Sequence, residues 1–334
     1  MKLYLILFIV TLCQYSFGQS KAKTVAPYSY CTWENMVLNK NYLINNSDSC
    51  LFVVSTRNYD DTKKEFVDYE YDTSRTLKYF AVYFKGNNWT AVPYPTLEKL
   101  LDLKESFKNM VIFTEGLGKT FTSGVDRGTK LMRIYGIDEI FFDWPTLRPY
   151  LKSGKNIKTT YRVSSKVALP YAKFLEEFQI YKITHISKFK VTSLFFHSMG
   201  NLILMHDLKG NLFKNIQPGI IDNVLLNAAC VPQKKHALWL NKLNFATHIY
   251  VTINKGDRNL NGAKIIFLQH QLGEKAKRPY CKTAHYVRFS NVLDNEHNYY
   301  LIRPLLAQKP FLKKFYEDIF EGNTPVLNYP RLIK

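Results

Sequence analysis

Val191-Thr192-Ser193-Leu194-Phe195-Phe196-His197-Ser198-Met199-Gly200-Asn201 is the stretch on which the fold turns. Apolar and β-branched residues run up to a serine, and a helical pattern, Leu202 to Leu208, begins almost at once. A strand that breaks into a helix at a serine lifts the hydroxyl off the sheet edge. The first turn of that helix points unpaired N–H groups at the same place. An activated serine attacking an acyl carbon needs both: an accessible nucleophile and donors for the oxyanion.

Working outward, apolar strand-like runs precede it at Leu51–Ser55, Lys78–Phe84, Met110–Thr114 and Ile137–Phe142. Others follow at Asn223–Ala229, His248–Ile253 and His285–Ser290. Thr96 caps a helix whose Leu97, Leu100, Leu101 and Phe107 fall on roughly one face, and further helices are expected around Arg127–Tyr135, over Val167–Ile183 and around Pro310–Phe320. Strands alternating with helices predict a mostly parallel, doubly wound α/β sheet covered on both faces. The expected layout is a β-rich N-terminal extension, residues 19–107, packed on a core at 108–334. The basic, weakly periodic stretch 146–166 reads as a loop or lid.

A serine needs a base, usually a histidine held by a carboxylate. In the fold to which such a serine elbow belongs, the partners follow in the order serine, acid, histidine, each on a loop after a later strand. Asp257 follows the strand ending at Ile253, and His297 follows the strand ending near Ser290. Ser198, Asp257 and His297 are therefore the candidate triad, with Asp294 as the fallback acid. His285 starts a strand and lies at the wrong edge. His236 and His270 fall before or beside the acid, and His197 is expected to point away from the serine. The oxyanion donors are expected to be the N–H of Met199 and that of Gly116 or Leu117 in the turn after Met110–Thr114. Gly118-Lys119-Thr120 lacks the earlier glycine of a phosphate loop, because Phe113 stands there.

These residues resemble the α/β-hydrolase superfamily. Within it the chain is similar to a bacterial group of uncharacterised serine-hydrolase-like proteins with an A-H-S-M-G-N elbow, an H-G oxyanion turn and a W-P pair. His197-Ser198-Met199-Gly200-Asn201 matches the elbow, Glu115-Gly116 the turn and Trp144-Pro145 the pair. The resemblance implies a serine hydrolase acting on an ester or related acyl bond, with no cofactor and no metal. Two residues depart from the pattern. Phe196 stands where a small residue is expected, which should crowd the turn. Glu115 replaces the histidine, unfavourable beside an oxyanion unless Lys119 or Arg127 pairs with it. Both motivate the alternative of an inactive, hydrolase-fold binding or scaffold protein.

At the N-terminus, Lys2, the apolar run Leu3–Leu12 and Ser16-Phe17-Gly18 read as a cleaved leader, residues 1–18, implying secretion or a periplasmic or cell-surface location. No later stretch is apolar for long enough to span a membrane. Cys13 leaves with the leader, and Cys31–Cys50 is the expected disulfide, with Cys230 and Cys281 at opposite sheet edges and free. The formal charge of +19 predicts non-specific attraction to anionic surfaces. No zinc-finger, helix-turn-helix or RNA-binding motif points to a specific nucleic acid partner, and a small-molecule or lipid-like acyl substrate is expected.

Overall fold

The computed structural model describes residues 31, 36–39, 50–60, 62–85, 88–147, 151–325 and 332–333. The expected leader, residues 1–18, lies outside them. Thirteen strands are described: β1 Met36–Leu38, β2 Cys50–Ser55, β3 Arg57–Asp60, β4 Glu65–Tyr71, β5 Lys78–Lys85, β6 Asn88–Tyr94, β7 Met110–Thr114, β8 Asp138–Asp143, β9 Thr192–His197, β10 Ile221–Asn227, β11 Ala246–Ile253, β12 Ala284–Arg288 and β13 Leu332–Ile333. The helices are α1 Leu97–Leu101, α2 Phe121–Tyr135, α3 Ser153–Thr184, α4 Asn201–Gly210, α5 His236–Leu240, α6 Arg258–Phe267, α7 Arg303–Gln308 and α8 Pro310–Phe320.

One sheet runs β1-β6-β5-β2-β8-β7-β9-β10-β11-β12-β13, and β3 and β4 form a separate hairpin. From β2 through β12 every neighbouring pair is parallel. Strands buried on both faces read as continuous apolar runs, as in Met110-Val111-Ile112-Phe113, where every side chain is fully buried. On β9, Phe195 packs toward Tyr316 and Phe320 of α8, whereas Phe196 packs toward Tyr171 of α3. This is the α/β-hydrolase fold, with antiparallel pairs confined to the ends. The N-terminal strands do more than pack on the core. β2 pairs directly with β8 and extends the same sheet, with Phe52 opposite Ile140 and Ser55 opposite Asp143.

Most of the stretch expected as a loop or lid, 146–166, is helix. From Ser153 it belongs to α3, a helix of 32 residues. Its buried stripe is Asn156, Ile157, Thr160, Val163, Ser164 and Val167, spaced by three and four residues. Half of that stripe is polar, so an apolar periodicity does not reveal it. The polar members are satisfied locally: Thr160 Oγ1 donates to Thr146 O at 3.0 Å, and Asn156 Nδ2 to Leu151 O at 3.0 Å.

The expected Cys31–Cys50 disulfide is absent; both are buried free thiols, as are Cys230 and Cys281. Cys50 begins β2 opposite Tyr83, beside Lys104 and Asp138 at the N-terminal edge of the sheet. Cys31 shares its surroundings with Asp126 in the first half of α2, toward the other edge. Burial pushes the Cys50 and Cys230 thiols up to about 12, so neither is a ready nucleophile.

Candidate active site

β9 ends at His197, and Ser198 opens a short 3-10 turn, Ser198–Gly200, that runs into α4. Ser198 has φ of 51°, a left-handed conformation that costs a non-glycine residue about 1–2 kcal/mol. Its neighbours hold it there. Asn201 Nδ2 donates to Ser198 O at 2.9 Å and Phe196 O at 3.1 Å, and Cys230 N–H donates to Ser198 O at 3.0 Å. The crowding expected at Phe196 falls at Gly200 instead. A methyl on Gly200 would lie 2.5 Å from Thr114 O and 3.0 Å from Glu115 O. Phe196 is spared because its ring points into the layer under α3.

Asp257 is the N-cap of α6 and fully buried. Its Oδ1 accepts the N–H groups of Asn259 (2.9 Å) and Leu260 (3.0 Å), and its Oδ2 meets His297 Nδ1 at 2.6 Å. The capping bonds fix the carboxylate's orientation, and the remaining oxygen fixes the imidazole. The loops that carry the pair are laced together. Asn254 Nδ2 donates to Asp294 O and Glu296 O, and a methyl on Gly256 would sit 2.2 Å from Asp294 O. Asp294 therefore serves through its carbonyl, and its side chain is exposed. Ser198 and His297 are each 8% exposed, which leaves both within reach of solvent.

The turn after β7 lies against the serine. A methyl on Gly116 would be 2.7 Å from Ser198 Cβ, 3.1 Å from Ser198 Oγ and 2.9 Å from Met199 N. Only a glycine leaves room there. The Gly116 N–H itself is occupied, donating to Glu115 Oε1 at 2.8 Å, so Leu117 and Met199 are the backbone donors left to consider.

Glu115 is buried, with both carboxylate oxygens paired. Arg127 Nε pairs with its Oε2, Tyr300 OH donates to the same oxygen at 3.1 Å, and His197 Nδ1 bonds Oε1. Burial alone would raise this carboxyl, but Arg127 and His197 outweigh it and hold Glu115 well below the usual carboxylate range. Burial pushes His197 down to about 4 despite Glu115, so its ring carries one proton at neutral pH. His197 therefore does not turn away from the site. Its ring centroid is 4.7 Å from that of His297, and its Nε2 edge lies 3.3 Å from the His297 carbonyl. Arg127 extends the network to Asn298 Oδ1 and Tyr300 OH, both at 2.9 Å.

A second buried pair supports the same turn. Arg57 Nε bonds both oxygens of Asp143 at 2.8 and 2.9 Å, and its NH2 donates to Trp144 O (2.7 Å) and Lys119 O (3.0 Å). Trp144 Nε1 then donates to Glu115 O at 2.8 Å. Of these residues, the sequence marks Trp144 only as part of a dipeptide and Tyr300 only as part of a tyrosine pair after His297, and no motif marks Arg57, Asn298 or Asn254. The excluded histidines have other partners: His236 bonds Gln233 O and Tyr286 OH, and His270 bonds Glu274.

Among the described residues, no group of three or more His, Cys, Asp or Glu is placed to hold a metal ion, and no helix is long and apolar enough to cross a membrane. Residues 96–294 match the family described as alpha/beta hydrolase of unknown function, DUF900. That is more than half of the chain, and the protein belongs to this α/β-hydrolase family. No curated protein matches it.

Proposed function

We propose that the protein is a serine hydrolase that cleaves a carboxylic ester or related acyl bond through an acyl-enzyme. His297 takes the proton of Ser198 as the hydroxyl attacks the acyl carbon, and Asp257 steadies the imidazolium that forms. The N–H groups of Met199 and Leu117 receive the oxyanion. The proton on His297 then passes to the leaving alcohol. Water, deprotonated by the same histidine, releases the acid and restores Ser198. The observation that carries the reading is the 2.6 Å contact between Asp257 and His297, together with a serine held at positive φ on a strand-to-helix turn.

The inactive-scaffold alternative rested on Phe196 and Glu115. Phe196 packs away from the turn, and Glu115 is neutralised by Arg127, so neither argues against turnover. With the leader expected at residues 1–18, the reaction is proposed to take place outside the cytoplasm. A fluorophosphonate probe tests the assignment directly. Wild type should be labelled and Ser198→Ala spared, with His297→Ala labelled far more slowly. Absence of labelling in a folded wild type would return the protein to the scaffold reading.

A further inference from the structure

Leu268 is placed where a leucine gains nothing from folding. It follows the last residue of α6 with φ of 53°, and it is 90% exposed. The left-handed position after a helix is normally taken by glycine or asparagine, because a Cβ is strained there. A large apolar side chain in water adds a second cost. Ile265, one turn back on the same helix, is 47% exposed. A protruding aliphatic pair of this kind marks a surface that meets something apolar.

The surroundings of that pair are basic. Gln233 N–H donates to His270 O at 3.1 Å, Leu272 N–H to Val231 O at 2.8 Å and Gly273 N–H to Ala229 O at 2.9 Å. The segment 229–233 is thus zipped to 270–273, which brings the exposed Lys234 and Lys235 beside the chain carrying Leu268. Lys275 and Lys277 continue the exposed rim. Between Ala228 and Lys282 there are ten Lys and Arg, and the two carboxylates, Asp257 and Glu274, are both buried. The exposed Asp294 and Glu296 pack by the other end of α6, about 15 Å of helix away. The same zipped loops reach the nucleophile, since Cys230 N–H donates to Ser198 O.

We propose that this rim, Ile265 and Leu268 flanked by Lys234, Lys235, Lys275 and Lys277, docks the protein on an anionic lipid surface. Resting on the hydrolase reading, the acyl substrate of Ser198 would be drawn from that surface. Lysines meet the headgroups, and the aliphatic side chains enter the acyl boundary. A nucleic acid would use the lysines but has no place for Leu268, and base stacking wants aromatic rings rather than aliphatic ones. The other exposed aliphatic cluster, Ile180, Ile183 and Ile186, lies at the opposite sheet edge, where the neighbouring Lys182 and Lys188 are engaged by Asp222 and Asp102.

Sedimentation with phosphatidylglycerol–phosphatidylcholine vesicles, against pure phosphatidylcholine, tests the proposal on the full chain. Wild type and Ser198→Ala should both bind the anionic vesicles. Leu268→Gly relieves the backbone strain, so it should fold at least as stably while binding about tenfold more weakly. Replacing Lys234, Lys235, Lys275 and Lys277 with Ser should weaken binding by at least as much. A control triple, Lys108, Lys190 and Lys214 to Ser at the opposite edge, should bind like wild type. No binding by wild type, or an equal loss in the control triple, overturns the proposal. So does indifference to Leu268→Gly with tight retention on heparin, which would assign the rim to a soluble polyanion. Fluorophosphonate labelling is read separately: binding without labelling removes the hydrolase reading and leaves the docking surface, and labelling without binding does the reverse.

Discussion

Ser198 is flanked by two supports built on different principles. On one side, among the described residues, the loops carrying Asp257 and His297 are held to each other without a salt bridge to Lys or Arg: by a helix N-cap, an asparagine bridging two carbonyls and a glycine pressed against Asp294 O. On the other side, the turn from Glu115 to Lys119 is held by buried charge, Glu115 with Arg127 and Arg57 with Asp143. The first support ties the loop after β11 to the loop after β12, across 40 to 42 residues of chain. The second reaches from β3 to β8 and from β7 to the segment after His297. Hydrogen bonds between two neighbouring loops suffice to aim a histidine, whereas a glycine turn with no side chain of its own is held by ion pairs from outside it.

The largest effects should come from the hydrogen-bonded side that carries Asp257 and His297. His297→Ala and Asp257→Asn should each slow fluorophosphonate labelling by about 10³–10⁴-fold, because the amide no longer stabilises the required imidazole tautomer. A rate within tenfold of wild type for Asp257→Asn would separate the carboxylate from the chemistry.

On the charged side the loss should appear first as stability. Arg57→Met leaves Asp143 buried and unpaired, at a cost of about 3–5 kcal/mol by urea unfolding. Adding Asp143→Leu should restore most of it. If the double variant is no more stable than the single, charge balance is not what Arg57 supplies.

A smaller effect is expected at the contact between the two supports. Gly116→Ala would thrust a methyl to 2.7 Å from Ser198 Cβ, and labelling should fall about 10²-fold with little change in the unfolding midpoint. An unfolding midpoint that collapses with the rate would make the turn a folding element rather than part of the site.

The smallest effect sharpens the electrostatic side. Glu139 on β8 is buried, and both its carboxyl oxygens are unpartnered. Burial, with the nearby Glu115 charge adding to it, raises its pKa well above the ordinary value. The folded state therefore keeps a proton that the unfolded chain releases above its own pKa, and stability falls as pH rises from there. Glu139→Gln has no proton to keep. Relative to wild type it should gain up to about 1.4 kcal/mol for each pH unit above that point. A difference between variant and wild type that stays flat from pH 5 to 7.5 would mean the carboxyl is ionised in the fold.

What could be read in advance followed the same division. The strand running into Ser198 and the helix Pro310–Phe320 were legible, because continuous apolar runs and an amphipathic period are local signals. Helix α3 was half missed because Thr160, Ser164 and Asn156 hide its buried stripe. Phe196 was expected to crowd the elbow, but the neighbour that decides the crowding is the β7 backbone at Gly200, which no spacing within the elbow reveals.

The order of Ser198, Asp257 and His297 along the chain was determined by sequence alone, since each follows a recognisable strand and a parallel sheet delivers all such ends to one edge. Tertiary structure decided the rest: that Glu115 turns inward to Arg127, that Cys31 and Cys50 stay apart, and that Arg57 grips Asp143 from 86 residues away. Buried ion pairs and thiol separations depend on distances between elements far apart in the chain, and such distances exist only once the sheet has closed its layers.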